Sequence, residues 1–134
     1  MRPIALSRNW LLILGSALVF WAVALRSGGP ELGARDVSMQ EAIALVDAGA
    51  LVIDVRDSAS THLPGALLIP LEVLAARLPS LETARTQQIV VYCGNGTYRG
   101  PQAVQILTDA GFSAVNMKAG IEGWRDARLP VVSS

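Results

Sequence analysis

The sequence predicts an α/β fold: a doubly wound domain with a central, mostly parallel sheet flanked by helices, preceded by one hydrophobic N-terminal helix. Three observations predict it. Short runs rich in β-branched residues alternate with segments whose apolar residues recur at helical spacing, as in βαβ units. Arg56 and Cys93 fall at the carboxyl ends of two such runs, where open α/β sheets collect their sites. Ahead of these, Trp10 to Leu25 is an apolar stretch without a charge.

That stretch lies between Arg2 and Arg8 on one side and Arg26 on the other. At about 1.5 Å per residue it extends about 24 Å, near the lower limit for crossing a hydrocarbon core. Residues 1–26 are therefore read as a membrane anchor or a signal peptide, with Ala22-Val23-Ala24 as a small-x-small cleavage site. Retention of the basic N-terminus in the cytoplasm would place the following domain on the periplasmic side of the inner membrane, or secrete it if the segment is cut. Residues 27–35, headed by Ser27-Gly28-Gly29-Pro30, read as a linker, and residues 36–134 as the domain.

Within the domain, Ser38 and Glu41 form a capping box, and Met39, Ile43 and Val46 recur at helical spacing until Gly49 stops the helix. Leu51 to Val55 is a strand, Thr61 to Ala66 a turn, and Leu67 to Ile69 a brief strand. Leu71, Leu74, Ala75 and Leu78 line a helix, Ile89 to Tyr92 form a buried strand, and Ala103, Ile106, Leu107 and Ala110 line a helix ended by Gly111. Ala114 to Met117 is a further strand, and Ile121 to Asp126 a short helix carrying Trp124.

With 134 residues, 51% of them hydrophobic, and a formal net charge of zero, the chain is neither disordered nor built to bind nucleic acid. One cysteine excludes an internal disulfide, and one cysteine with one histidine excludes a closed zinc site of the usual kind. No metal and no organic cofactor are expected.

Cys93 stands between a buried strand and a helix start. Gly94 and Gly96 let the backbone turn with its amides converging, and Gly100-Pro101 suits a first helical turn, where the missing proline N–H costs nothing. Converging amides beside a helix N-terminus favour an anion. The same loop would thus favour a nucleophilic thiolate and cradle a tetrahedral oxyanion.

Leu51-Val52-Ile53-Asp54-Val55-Arg56, His62-Leu63-Pro64-Gly65-Ala66, Val90-Val91-Tyr92-Cys93, Ala110-Gly111-Phe112, Ala119-Gly120-Ile121-Glu122-Gly123-Trp124 and Leu129-Pro130-Val131 follow one another in order. Together they resemble the landmarks of a single rhodanese domain over about residues 36 to 132. The resemblance implies a sulfurtransferase in which Cys93 takes sulfane sulfur from a small oxyanion donor such as thiosulfate. Cys93 then carries it as a persulfide and passes it to a thiol or cyanide. It implies Cys93 as the catalytic residue, with Gly94, Asn95, Gly96, Thr97, Tyr98, Arg99 and Arg56 as substrate-binding residues.

Two other readings come from the same residues. Five residues separate Cys93 from Arg99, the spacing of cysteine-dependent phosphatases and some arsenate reductases, in which a bidentate guanidinium grips the oxyanion. A membrane-tethered persulfide carrier or docking module serving a protein acceptor is the other. Asp54 with Arg56 reads equally as a structural pair and as substrate contact by Arg56, and His62 as a hydrogen-bonded turn residue.

Overall fold

The computed structural model describes residues 35–134. The expected anchor of residues 1–26, and the linker up to residue 34, lie outside the described residues. Among the described residues no helix is long and apolar enough to cross a membrane.

The domain opens with strand β1 (Asp36–Val37), followed by helix α1 (Met39–Asp47). Ser38 closes the expected capping box: its Oγ accepts from Glu41 N at 3.2 Å, while Glu41 Oε2 accepts from Ser38 N at 3.0 Å. Gly49, at φ +95°, takes the left-handed turn that releases the chain into strand β2 (Leu51–Asp54). Strands β3 (Thr61–His62) and β4 (Leu67–Leu68) precede helix α2 (Leu71–Arg77), which tightens into a 3₁₀ turn over Leu78–Ala84. Then come strand β5 (Gln88–Tyr92), helix α3 (Arg99–Asp109), strand β6 (Ser113–Met117), helix α4 (Gly120–Asp126) and strand β7 (Val132–Ser133).

Five strands form one sheet in the order β1-β6-β5-β2-β4, and every pairing in it is parallel. From β2 the chain moves outward to β4, then returns to β5 on the other side and continues to β6. The strand order therefore reverses between β2 and β5, and the crevice beyond their carboxyl ends is where such sheets bind ligands. Residues of β5 alternate between two cores, as the pleat requires. Ile89, Val91 and Cys93 pack with Leu74 of α2 and with Ala103, Val104 and Leu107 of α3, whereas Val90 and Tyr92 pack with Ala42 of α1 and with Ile121 and Trp124 of α4.

The segment expected as a turn from Thr61 to Ala66 begins differently. Thr61–His62 is strand β3, paired antiparallel with β7, so Thr61 faces Ser133 and His62 faces Val132. The partner lies some seventy positions along the chain, so no local signal marks the pairing. Strand β4 is one residue shorter than its apolar run, although Ile69 N still donates to Asp54 O at 2.9 Å.

Candidate active site

Cys93 is the first residue beyond β5 and is only 3% exposed. Its neighbours on the sheet are fixed by the register, in which Asp54 faces Tyr92, and by Val55 N donating to Tyr92 O at 3.0 Å. From Cys93 the chain makes a run of bends through Gly94, Asn95, Gly96, Thr97 and Tyr98 before entering α3 at Arg99. The backbone N–H of Gly96 donates to Cys93 Sγ at 3.2 Å. A donor aimed at sulfur stabilises the negative charge of a thiolate there.

The loop is held from outside by α4 and β6. Ile121 N donates to Cys93 O and Glu122 N to Gly94 O, both at 3.0 Å, so the first turn of α4 takes up two loop carbonyls. The approach requires glycine on both sides. Gly120 sits at φ +62°, and a Cβ there would lie 2.3 Å from Gly94 O; Gly96 sits at φ +76°, and a Cβ there would lie 2.0 Å from Lys118 O. Asn116 Nδ2 donates to Gly96 O at 2.9 Å from beneath.

The loop side chains divide between inside and outside. Asn95 Oδ1 accepts from Thr97 N at 3.2 Å and from Thr97 Oγ1 at 2.8 Å, which closes the loop's outer bend. Tyr98 projects into solvent, 70% exposed, and Gly94 is half-buried beside Glu122, with 3.7 Å between Glu122 Oε1 and the position of an added Cβ.

Both arginines expected at the substrate are committed to carboxylates. Arg56 Nη2 lies 2.6 Å from Asp54 Oδ2, its Nε donates to the same wholly buried carboxylate, and Nη2 also donates to Thr61 O at 2.7 Å. The hydrogen bonds to Asp54 hold the Arg56 guanidinium above its ordinary range. Arg99 Nη1 donates to Glu72 Oε1 at 2.7 Å and Nη2 to Asp57 Oδ2 at 2.9 Å. A guanidinium pointed at two side-chain carboxylates is not arranged to grip an oxyanion in the loop.

A rhodanese-like domain model matches residues 38–127, a span that contains the whole sheet except its first strand, together with the Cys93 loop. The chain belongs to the rhodanese-like domain family. It is also similar to an HTH-type transcriptional regulator of Mycobacterium tuberculosis, 38% identical over an alignment of 110 residues that covers 78% of this chain. The chain spans 46% of that relative's length. Among solved structures it resembles a rhodanese-related protein of Thermoplasma volcanium, with a TM-score of 0.66 and 27% identity, covering 73% of this chain and 97% of that one. A human single-domain sulfurtransferase is similar at a TM-score of 0.60 and 29% identity, covering 70% of this chain and 97% of that one.

Within this rhodanese-like domain the structure brings Cys93, Gly94, Asn95, Gly96, Thr97 and Tyr98 together as one loop, and it leaves Arg56 and Arg99 beside that loop in ion pairs. His62 lies on β3, with Nδ1 at 3.3 Å from Ser134 Oγ. Sequence reasoning missed Asn116, Asp57 and Glu72. Asn116 carried a visible signal, a polar residue inside the apolar run of β6, whereas Asp57 and Glu72 reach Arg99 only through tertiary proximity.

Proposed function

We propose that this protein is a sulfurtransferase that works through a persulfide on Cys93. The observation that carries the reading is the Gly96 N–H donating to a buried Cys93 Sγ, on a loop at the carboxyl end of a central parallel strand. Membership in the rhodanese-like family and likeness to a human single-domain sulfurtransferase support it.

In the proposed cycle the Cys93 thiolate attacks the outer sulfur of a donor such as thiosulfate. A new S–S bond forms, the donor's own S–S bond breaks, and sulfite leaves with the electron pair. A thiol or cyanide then attacks the outer sulfur of the persulfide, which regenerates the Cys93 thiolate without an external oxidant. Gly96 N–H supports the charge at Cys93 Sγ, and other backbone amides of the Gly94 to Tyr98 segment receive the donor's oxyanion. Arg56 acts from outside the loop by neutralising Asp54.

Phosphatase chemistry would need Arg99 turned into the loop, and its two carboxylate partners favour the sulfur reading. Residues 10–25 supply a membrane partner in this proposal, with the domain on the periplasmic side and a protein thiol as an alternative acceptor. Intact mass of the full chain after incubation with thiosulfate tests the chemistry. The expected result is a gain of about 32 mass units, lost on adding cyanide and absent in Cys93→Ser. Turnover of an aryl phosphate with no sulfur adduct would overturn it.

A further inference from the structure

Asn116 is wholly buried, and its role is not explained by strand pairing. It sits on β6, next to the Cys93 strand in the sheet, and its side chain reaches the loop from below. Nδ2 donates to Gly96 O at 2.9 Å and to Asp36 Oδ1 at 2.8 Å. Both protons of the amide are thereby used, and the orientation of the group is fixed, because reversing it would bring Oδ1 against two acceptors. The cost falls on Oδ1, which is buried with no hydrogen-bond partner. This oxygen lies against the second residue of α3: a Cβ on Gly100 would come within 2.0 Å of it. One amide therefore touches both the middle of the loop and the start of the helix that ends it.

We propose that Asn116 is a positioning residue for Cys93, which holds Gly96 through its carbonyl so that the N–H of the same residue stays aimed at Cys93 Sγ. The alternative purpose of a buried amide, satisfying strand ends, does not account for the orphaned acceptor, and an apolar side chain of the same size would avoid that orphan. Gly100 follows from the same device, since any side chain there would displace the amide. Its meaning for catalysis rests on the Cys93 persulfide reading, but its effect on the thiolate does not.

The test is the rate of Cys93 alkylation by iodoacetamide as a function of pH, in the full chain and in Asn116→Asp, Asn116→Ala and Asp36→Ala, with folding followed by circular dichroism. Asn116→Asp keeps the shape and replaces the donor with an acceptor. The expected result is that alkylation at pH 7 slows about tenfold in folded Asn116 variants, the scale of one lost hydrogen bond to a charged group, with the profile moved to higher pH. Asp36→Ala, which leaves the bond to Gly96 intact, should stay within about twofold of the parent on the same scale. A parent-like profile in folded Asn116 variants overturns the proposal, as does an equal shift in Asp36→Ala. An NMR coupling across the hydrogen bond from Asn116 Nδ2 to the Gly96 carbonyl carbon tests the contact without substitution, and its absence in the thiolate form overturns it too. Alkylation reports on the thiolate whatever Cys93 does with sulfur. A shifted profile in a chain that forms no persulfide would therefore sink the sulfurtransferase reading alone.

Discussion

Tyr92, the residue before Cys93, joins the two strands whose carboxyl ends carry the site. Its side chain is wholly buried, its hydroxyl oxygen accepts from Leu63 N at 3.1 Å, and the Arg56 guanidinium lies 5.8 Å from its ring centre. Burial pushes the phenol well above its ordinary value of 10.0, and the Leu63 N–H offsets only part of that. Above pH 10 the unfolded chain gives up this proton while the folded chain keeps it. The unfolded state then binds fewer protons, so stability falls as pH rises. Tyr92→Phe is expected to cost about 1 kcal/mol at pH 7 through the lost hydrogen bond. Between pH 10 and pH 11 its deficit relative to the parent should shrink by about 1 kcal/mol, because the variant has no phenol to ionise. Urea unfolding of both proteins across that range measures it, and a constant deficit would contradict the buried phenol.

Helix α4 matters more for the loop than its seven residues promise. Its first turn takes the carbonyls of Cys93 and Gly94, and Trp124 anchors its far end by donating from Nε1 to Pro130 O at 2.8 Å. The hinge of this arrangement is Gly120, whose positive φ and close approach to Gly94 O admit no side chain. Gly120→Ala is expected to destabilise the domain by about 1–3 kcal/mol, from backbone strain and the clash together. Persulfide formation should slow by at least about tenfold, since the loop carbonyls lose their donors and the sulfur its aligned N–H. Denaturant unfolding and the rate of the mass adduct separate the two effects. Loss of stability with an unchanged adduct rate would show that α4 supports the fold but not the loop.

For the molecule as a whole, two cores on opposite faces of a parallel sheet hold the loop at the point where the strand order reverses. At the start of the described residues, Arg35 O accepts from Asn116 N at 2.8 Å. The proposed tether would act on location and not on chemistry. Full-length protein expressed in bacteria is expected to sediment with membranes and resist alkaline carbonate. A chain lacking residues 1–26 should stay in the supernatant with the same adduct rate. Soluble full-length protein of uncut mass would contradict the anchor.

The sequence by itself determined the α/β class, the chain order of β2, β4, β5, β6 and the four helices, the family and the position of Cys93, but not β1, a two-residue strand that finds β6 only in space. The class, the element order and the place of Cys93 follow from local chemistry: pleat and helix periodicities, the capping box at Ser38, and a glycine-rich bend between a buried strand and a helix start; the family followed from the resemblance of the ordered motifs. The pairing of Thr61–His62 with Val132–Ser133 was not legible, because two-residue strands carry no periodicity and find their partner only in space. Nor did the sequence decide which way the arginines point. Asp54 stands two positions before Arg56, and their pairing was one of two readings the sequence left open, whereas Arg99 looked available to an oxyanion and only the fold brought Asp57 and Glu72 to it, through a neighbouring strand end and a helix placed beside α3. Asn116 shows the same division: its polarity within an apolar strand was visible, but that its amide reaches Gly96 depends on β6 lying beside β5, a consequence of crossover topology that no local spacing encodes.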